Sequence, residues 1–253
     1  VSEDVITRRE RRTLIVTINR PDVRNAINAS ASRGLADAMD ILDDDQDLSV
    51  AILTGAGGTF CAGMDLKAFV AGEDIAVEGR GLGFTERPPR KPVIAAIEGY
   101  ALAGGTELAL ACDLIVAGRS ARFGLPEVKR GLVAGGGGLL RLPSRIPYQV
   151  AMELALTGEP FTAEQAHRYG LVNRCVDDGS ALEAALELAT DITANGPLAV
   201  AATKEIIVAA QSWTTHEAFA KQKDIMMPVF ASEDAREGAQ AFAERRAPRW
   251  LAK

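Results

Sequence analysis

Short strand-like runs separated by glycine turns and helical segments restrict what this chain can fold into more than any other feature. Residues 13–19 (TLIVTIN), 50–54 (VAILT), 93–97 (VIAAI) and 114–117 (LIVA) are β-branched or apolar and too short for amphipathic helices. Between them, Leu35, Ala38, Met39 and Leu42 recur at helical spacing behind Asn28, a candidate N-cap, and stop at the acidic run Asp43, Asp44, Asp45. Gly55-Ala56-Gly57-Gly58, Gly99 and Gly104-Gly105 mark turns, and residues 106–112 (TELALAC) have helical composition. Strand and helix in alternation predict an α/β layout with parallel pairing. Residues 72–92 are polar, rich in glycine and proline, and predict a mobile excursion loop.

The character changes in the last third. Thr162 with Gln165, Ser180 with Glu183 and Thr214 with Glu217 each match a capping box. Helices are expected near residues 162–169, 180–195, 198–211, 215–227 and 232–246. The 253 residues therefore divide into an α/β core over 1–190 and a helical region over 191–253. No internal repeat is obvious from the residues themselves.

Composition removes several function classes. Lys and Arg number 28 against 34 Asp and Glu, a net charge of −6, which argues against a general nucleic-acid or membrane-surface binder. Cys61, Cys112 and Cys175 are an odd count without a CxxC pair, so neither a disulfide framework nor a zinc site is expected, and reduced cytoplasmic thiols are the default. His167 and His216 lack metal-ligand spacing, so no metal is expected. The longest charge-free stretch, residues 48–64, contains four glycines and is no membrane span, and the charged N-terminal residues lack an apolar signal core.

The glycine clusters invite a nucleotide-binding reading and fail it. Neither residues 55–60 nor Gly135 to Gly138 completes GxGxxG, and no phosphate-binding GxxxxGK[ST] occurs. Glu107 is more informative, because a carboxylate inside the apolar TELALAC run is costly unless it is partnered or functional. Glu127 follows Pro126, which stiffens the backbone that presents it. Cys61 has no histidine base near it in the sequence and reads as a packing residue, as do Cys112 and Cys175. Both histidines read as surface or capping groups.

Three segments taken together, FCAGMDL at 60–66, AGGTELA at 103–109 and FGLPE at 123–127, resemble the crotonase superfamily, the enoyl-CoA hydratase/isomerase family. The resemblance extends over nearly the whole chain, from Asn19-Arg20-Pro21 and Arg24-Asn25-Ala26 to Ala241–Arg246. It implies a crotonase-like spiral core of repeated ββα units with a C-terminal helical trimerisation region. It also implies an acyl-CoA thioester as partner, no cofactor beyond the CoA of the substrate, and a homotrimer or dimer of trimers.

By the same resemblance, the amides of Met64 and Gly104 would form an oxyanion hole for the thioester enolate. Glu107 would help to activate water and Glu127 would deliver the α-carbon proton. Arg24, Ala26, Ala62, Asp65, Leu66, Lys67 and Gly105 would contact substrate. Two features depart from the common pattern: Thr106 stands where cysteine is frequent, and Val133-Ala134-Gly135-Gly136-Gly137-Gly138 replaces a proline-containing turn. With Arg141-Leu142-Pro143, these are similar to the carnitinyl-CoA dehydratase branch and to hydratases of steroid side-chain CoA esters. Hydratase is the leading expectation. An enoyl-CoA isomerase, a carnitinyl-CoA-type dehydratase and a non-catalytic acyl-CoA-binding paralogue remain as alternatives.

Overall fold

Alternation within the apolar strands sorts their side chains onto two covered faces, and the fold follows from that sorting. The computed structural model describes residues 2–253. Its elements run β1 (Val5–Glu10), β2 (Thr13–Ile18), α1 (Ala29–Asp44), β3 (Val50–Gly55), α2 (Leu66–Val70), β4 (Val93–Ile97), β5 (Tyr100–Leu102) and α3 (Gly104–Ala111). There follow β6 (Leu114–Gly118), β7 (Arg122–Gly124), α4 (Gly138–Arg145), α5 (Tyr148–Thr157), β8 (Phe161–Thr162), α6 (Ala163–Arg168) and β9 (Arg174–Val176). The chain ends with α7 (Ala181–Thr193), α8 (Pro197–Ala209), α9 (Thr215–Phe230) and α10 (Glu233–Glu244).

A six-stranded sheet has the order β1-β2-β3-β4-β6-β9, parallel except for the β1–β2 hairpin. On one face Leu14, Val16, Ala51, Leu53, Ala95 and Ile115 meet Leu35, Met39 and Leu42 of α1 in the main core. On the other, Val50, Ile52, Ile94, Ala96 and Val116 pack against Ala181, Ala184, Ala185 and Ala189 of α7. Both faces are dry, as a parallel sheet requires.

The second sheet, β5-β7-β8, carries the site. Cys61 bridges Ala101 in parallel, Ala101 pairs with Phe123, and Phe123 pairs with Phe161, whose ring stacks on it at 5.7 Å. So β3, β4 and β6 of the large sheet each lead, a few residues later, into one rung of a small ladder. This is the repeated unit, and it is hidden in the sequence because its rungs share geometry and not residues. Thr106 locks the ladder to α3: its buried hydroxyl lies 2.5 Å from the Ala101 carbonyl and 2.8 Å from that of Gly124, and accepts the Gly124 N–H at 3.0 Å.

Four expectations change. β1 escapes the sequence pattern because it is a mostly exposed edge strand whose one buried residue is Val5, and it pairs antiparallel. Ser180 does not cap α7; Glu98, at the end of β4, accepts the Gly179 and Ala181 N–H groups at 3.0 Å each instead. The Thr162 and Thr214 capping boxes form. Residues 72–92 contain no helix or strand but are not a free loop, since they bury Ile75 and Phe84, and Arg80 bonds to Asp40 and to the Ala36 carbonyl of α1. Finally, α4 and α5 occupy a stretch where the sequence suggests no element.

Replacing Thr106 by valine keeps the shape but removes the hydroxyl. The expected cost is about 1–3 kcal/mol, from leaving buried backbone groups unpaired. Denaturant unfolding at fixed protein concentration measures it.

Candidate active site

The site begins with a backbone contact that only glycine permits. A Cβ at Gly105 would lie 2.1 Å from the Cys61 carbonyl oxygen. Because none is there, the 61–64 segment lies directly on the start of α3, held by Cys61 N–H to the Tyr100 carbonyl at 2.8 Å and Leu102 N–H to the Cys61 carbonyl at 3.0 Å. Gly63, at φ +107°, avoids the Ala103 methyl in the same way. The position of a Cβ on Gly104 is only 3.6 Å from the Met64 nitrogen. Two amides from distant segments thus come together. Among the described residues, no backbone carbonyl accepts the N–H of either Met64 or Gly104.

Ala103 stands just before α3 at φ +51°, ψ −124°, a conformation that strains any residue with a Cβ, at roughly 1–3 kcal/mol. Its N–H donates to the Gly124 carbonyl at 2.8 Å, which holds it there. On the other side, Ile27 N–H donates to the Gly63 carbonyl and Asp65 N–H to the Ile27 carbonyl, both at 2.8 Å. Arg20 braces this strap by pairing with Asp65 at 3.2 Å and bonding to the Ala26 carbonyl. Buried Asn25 bonds the carbonyls of Ala56 and Thr59 at 2.9 and 2.7 Å and accepts the Arg20 N–H at 2.8 Å.

A cleft of about 400 Å³ opens over these amides. Glu107, Glu127, Met64, Gly104, Ala62 and Leu66 line it, together with Phe69, Leu82, Leu132 and Val133. The other expected contacts lie outside its walls. Gly105 is packed on the Cys61 carbonyl, and Asp65 is occupied as the N-cap of α2 and as the partner of Arg20. Despite burial, the Lys67 and Ala68 N–H groups and Arg20 hold the Asp65 carboxyl below its usual range. Ala26 is held through its carbonyl, Lys67 is exposed, and Arg24 is exposed with its guanidinium 6.0 Å from the centre of the Tyr100 ring. Cys61 is fully buried and its thiol is pushed up to about 12, which makes it a packing group and no nucleophile.

Glu107 is the one acid in a helix whose eight residues are all buried. The glycine run 135–138, which failed as a nucleotide motif, folds around it: Gly138 N–H donates to Oε1 at 3.0 Å, and a Cβ at Gly136 would lie 2.7 Å from Oε2. Burial raises its pKa, opposed by the Gly138 and Gly136 amides and by Arg141. Glu127 sits in a 3-10 turn, Pro126–Arg130, with Oε2 buried and unpartnered among the described protein groups. Burial raises its pKa as well, and the charge of Glu107 adds to the rise. Both carboxyls are thus raised, and they differ in their partners: the glycine turn donates N–H groups to Glu107, whereas Oε2 of Glu127 has no partner among the described protein groups. Among the described residues, no group of His, Cys, Asp and Glu could hold a metal ion, and no helix is long and apolar enough to cross a membrane.

Two amides without backbone carbonyl partners converge beside two carboxylates in an apolar cleft, and the profile of the enoyl-CoA hydratase/isomerase family matches residues 8–253. The chain belongs to that family and has the crotonase fold. Enoyl-CoA hydratase EchA19 of Mycobacterium tuberculosis is 46% identical, covering 97% of this chain and 95% of its own. Carnitinyl-CoA dehydratase of Salmonella typhi is 43% identical over 99% of both chains. The crystal structure of an enoyl-CoA hydratase from Mycobacterium tuberculosis H37Rv is 67% identical and superposes with a TM-score of 0.99 over 100% of both chains.

The raised carboxyl pKa values carry a stability consequence. A carboxyl raised in the fold contributes stability below its unfolded value, near pH ~4, and that contribution is lost as pH rises through the folded value. Glu107→Gln and Glu127→Gln, which stay neutral, are expected to melt above wild type at pH 8, with the gap closing toward pH ~4. Thermal melts across that range check it.

Proposed function

We propose that the chain is an enoyl-CoA hydratase, adding water in syn fashion to a 2-enoyl-CoA thioester and catalysing the reverse dehydration. The observation that carries this reading is the pair Glu107 and Glu127 in one cleft with the free amides of Met64 and Gly104. Bound with its carbonyl oxygen on those two N–H groups, the thioester gains a preorganised partner for the negative charge that develops as water adds to the β-carbon. Such a donor is worth about 3–4 kcal/mol in the transition state. Gly104 also opens α3, whose N-terminal dipole favours the same negative charge.

Ionised Glu107, oriented by Gly138, takes the proton of the attacking water. Glu127, protonated by burial beside that charge, gives its proton to the α-carbon. Glu107 gains one proton as Glu127 gives one up, so the addition balances, and a water relays that one proton from Glu107 back to Glu127 between turnovers. Arg24 and Lys67, exposed at the cleft's edge segments, serve the phosphates of CoA; Ala26, Ala62 and Leu66 offer backbone and side-chain contacts to its pantetheine or adenine. No cofactor beyond the CoA of the substrate enters this chemistry.

Isomerisation needs one carboxylate to move a proton, whereas two unlike ones supply both halves of hydration, so the hydratase reading comes first. Dehydration of a carnitinyl-type hydroxyacyl-CoA would use the same groups in reverse, and the 43% identity to carnitinyl-CoA dehydratase keeps it as the second reading. Apolar residues left bare on α9 and α10, Phe219, Phe230 and Phe242, support a homotrimer or dimer of trimers, which light scattering tests. The free cysteines suit a reducing, cytoplasmic setting.

Loss of conjugated enoyl-thioester absorbance over a panel of acyl chains reports turnover. Glu107→Gln and Glu127→Gln are each expected to lower kcat by roughly 10²–10⁴-fold. Hydration at the wild-type rate in both variants would reject the two-carboxylate mechanism. The wild-type pH profile is expected to be a bell, falling in acid as Glu107 takes up a proton and in alkali as Glu127 loses one.

A further inference from the structure

A cation outside the cleft reaches the turn that clasps Glu107. Arg141 rises from α4, three residues beyond Gly138, and is half-buried. Its Nη2 donates to the Thr85 carbonyl at 2.5 Å, and its Nη1 lies 3.5 Å from the Gly136 carbonyl. A Cβ at Gly137 would fall 2.2 Å from Nη1, so the glycine turn rests directly on the guanidinium. Gly136 and Gly138, on either side, are the residues that touch the Glu107 carboxylate. A continuous path of contacts therefore runs from the 72–92 segment through Arg141 and the turn to Glu107.

Arginine suits this position for a physical reason. Its planar fork can hold two carbonyls in fixed directions while its charge acts on a carboxylate beyond them. Lysine would supply the charge without the fork. The turn itself has no side chains with which to hold its shape, and Gly137 adopts φ +95°; the guanidinium braces it from behind, beside the Leu140 and Arg141 N–H groups that donate to the Gly137 carbonyl.

We propose that Arg141 is a positioning residue for the hydration reaction: it braces the 135–138 turn against Glu107 and favours the ionised carboxylate that activates water. The proposal rests on the hydratase reading above. The charged and titratable groups around Glu107 are Arg141 from α4, Glu127 and Arg130 from the Pro126–Arg130 turn, and Glu86 from the 72–92 segment. Arg145 and Cys112 face Arg141 in turn. Of these, Arg141 is the cation that acts on Glu107.

The test compares wild type with Arg141→Met, Arg141→Gln and Arg141→Lys, each first checked for a native circular-dichroism spectrum and melting transition. Expected for Arg141→Met is a kcat lower by roughly 10–100-fold, as for a group misplaced by about 1 Å, with KM little changed. The acid limb of its pH profile moves to higher pH, because Glu107 has lost its cation. Arg141→Lys restores the acid limb but only part of kcat. Should Arg141→Met not fold, Arg141→Gln takes its place. A folded charge-removing variant whose acid limb matches wild type overturns the proposal, whatever its kcat, since lower activity alone would reflect structural support. If wild type hydrates no enoyl-CoA, the hydratase reading fails separately. Titration of carboxyl-¹³C-labelled glutamate, with the signal assigned through Glu107→Gln, then decides whether Arg141 acts on Glu107: an upward shift in Arg141→Met supports it and no shift rejects it.

Discussion

Everything at the site depends on one van der Waals constraint, the approach of the Cys61 carbonyl to the α-carbon of Gly105. Any side chain at 105 would separate the 61–64 segment from the start of α3 by more than the hydrogen bonds from Cys61 to β5 allow. With glycine there, the amides of Met64 and Gly104, from segments forty residues apart, come to lie side by side without backbone carbonyl partners. The rungs at Cys61, Ala101 and Phe123 are the scaffold of that contact, and the dry six-stranded sheet is the scaffold of the rungs. A buried contact on rigid elements is the form that preorganised charge stabilisation requires, because nothing has to move when charge appears.

The same region is where the fold gives up stability. Ala103 is held at positive φ, two carboxyl groups are kept in a poorly solvated cleft, and two amides lack backbone partners. Each is unfavourable alone. The offset comes from elsewhere: α3 is wholly buried, Thr106 ties it to β5 and β7, and the Arg20, Asp65 and Asn25 network fastens the opposite strap. Local cost at a site set within a firmly packed frame is the usual relation between function and strain.

Much of this was legible in the sequence where the physics is local. The strands at 50–54 and 93–97, the helix capped by Asn28, the Thr162 and Thr214 boxes and the anomaly of Glu107 in an apolar run all appear in a few adjacent residues. What stayed hidden depends on distant partners. Ser180 lost its capping role to Glu98, which is eighty residues away in sequence, and β1 is a strand only because β2 lies beside it. The run Gly135 to Gly138 looked like a failed nucleotide loop; its meaning is the carboxylate it encloses, which no spacing within the run can reveal. Asp65 and Gly105 stood out as contacts by their place in a motif, whereas their side-chain and α-carbon surroundings are those of framework residues.

The division between ladder and cleft wall has a further meaning. The amides and carboxylates are presented by the rungs, by α3 and by the turns packed on it, while Phe69, Leu82, Leu132 and Val133 come from α2 and from connecting segments beyond the ladder. These wall residues do not take part in the close contact between Cys61 and Gly105. Side chains along the wall can change in size or polarity without disturbing the close contact at Gly105. A lineage could exchange one acyl group for another, linear for branched or polycyclic, while inheriting the enolate chemistry intact.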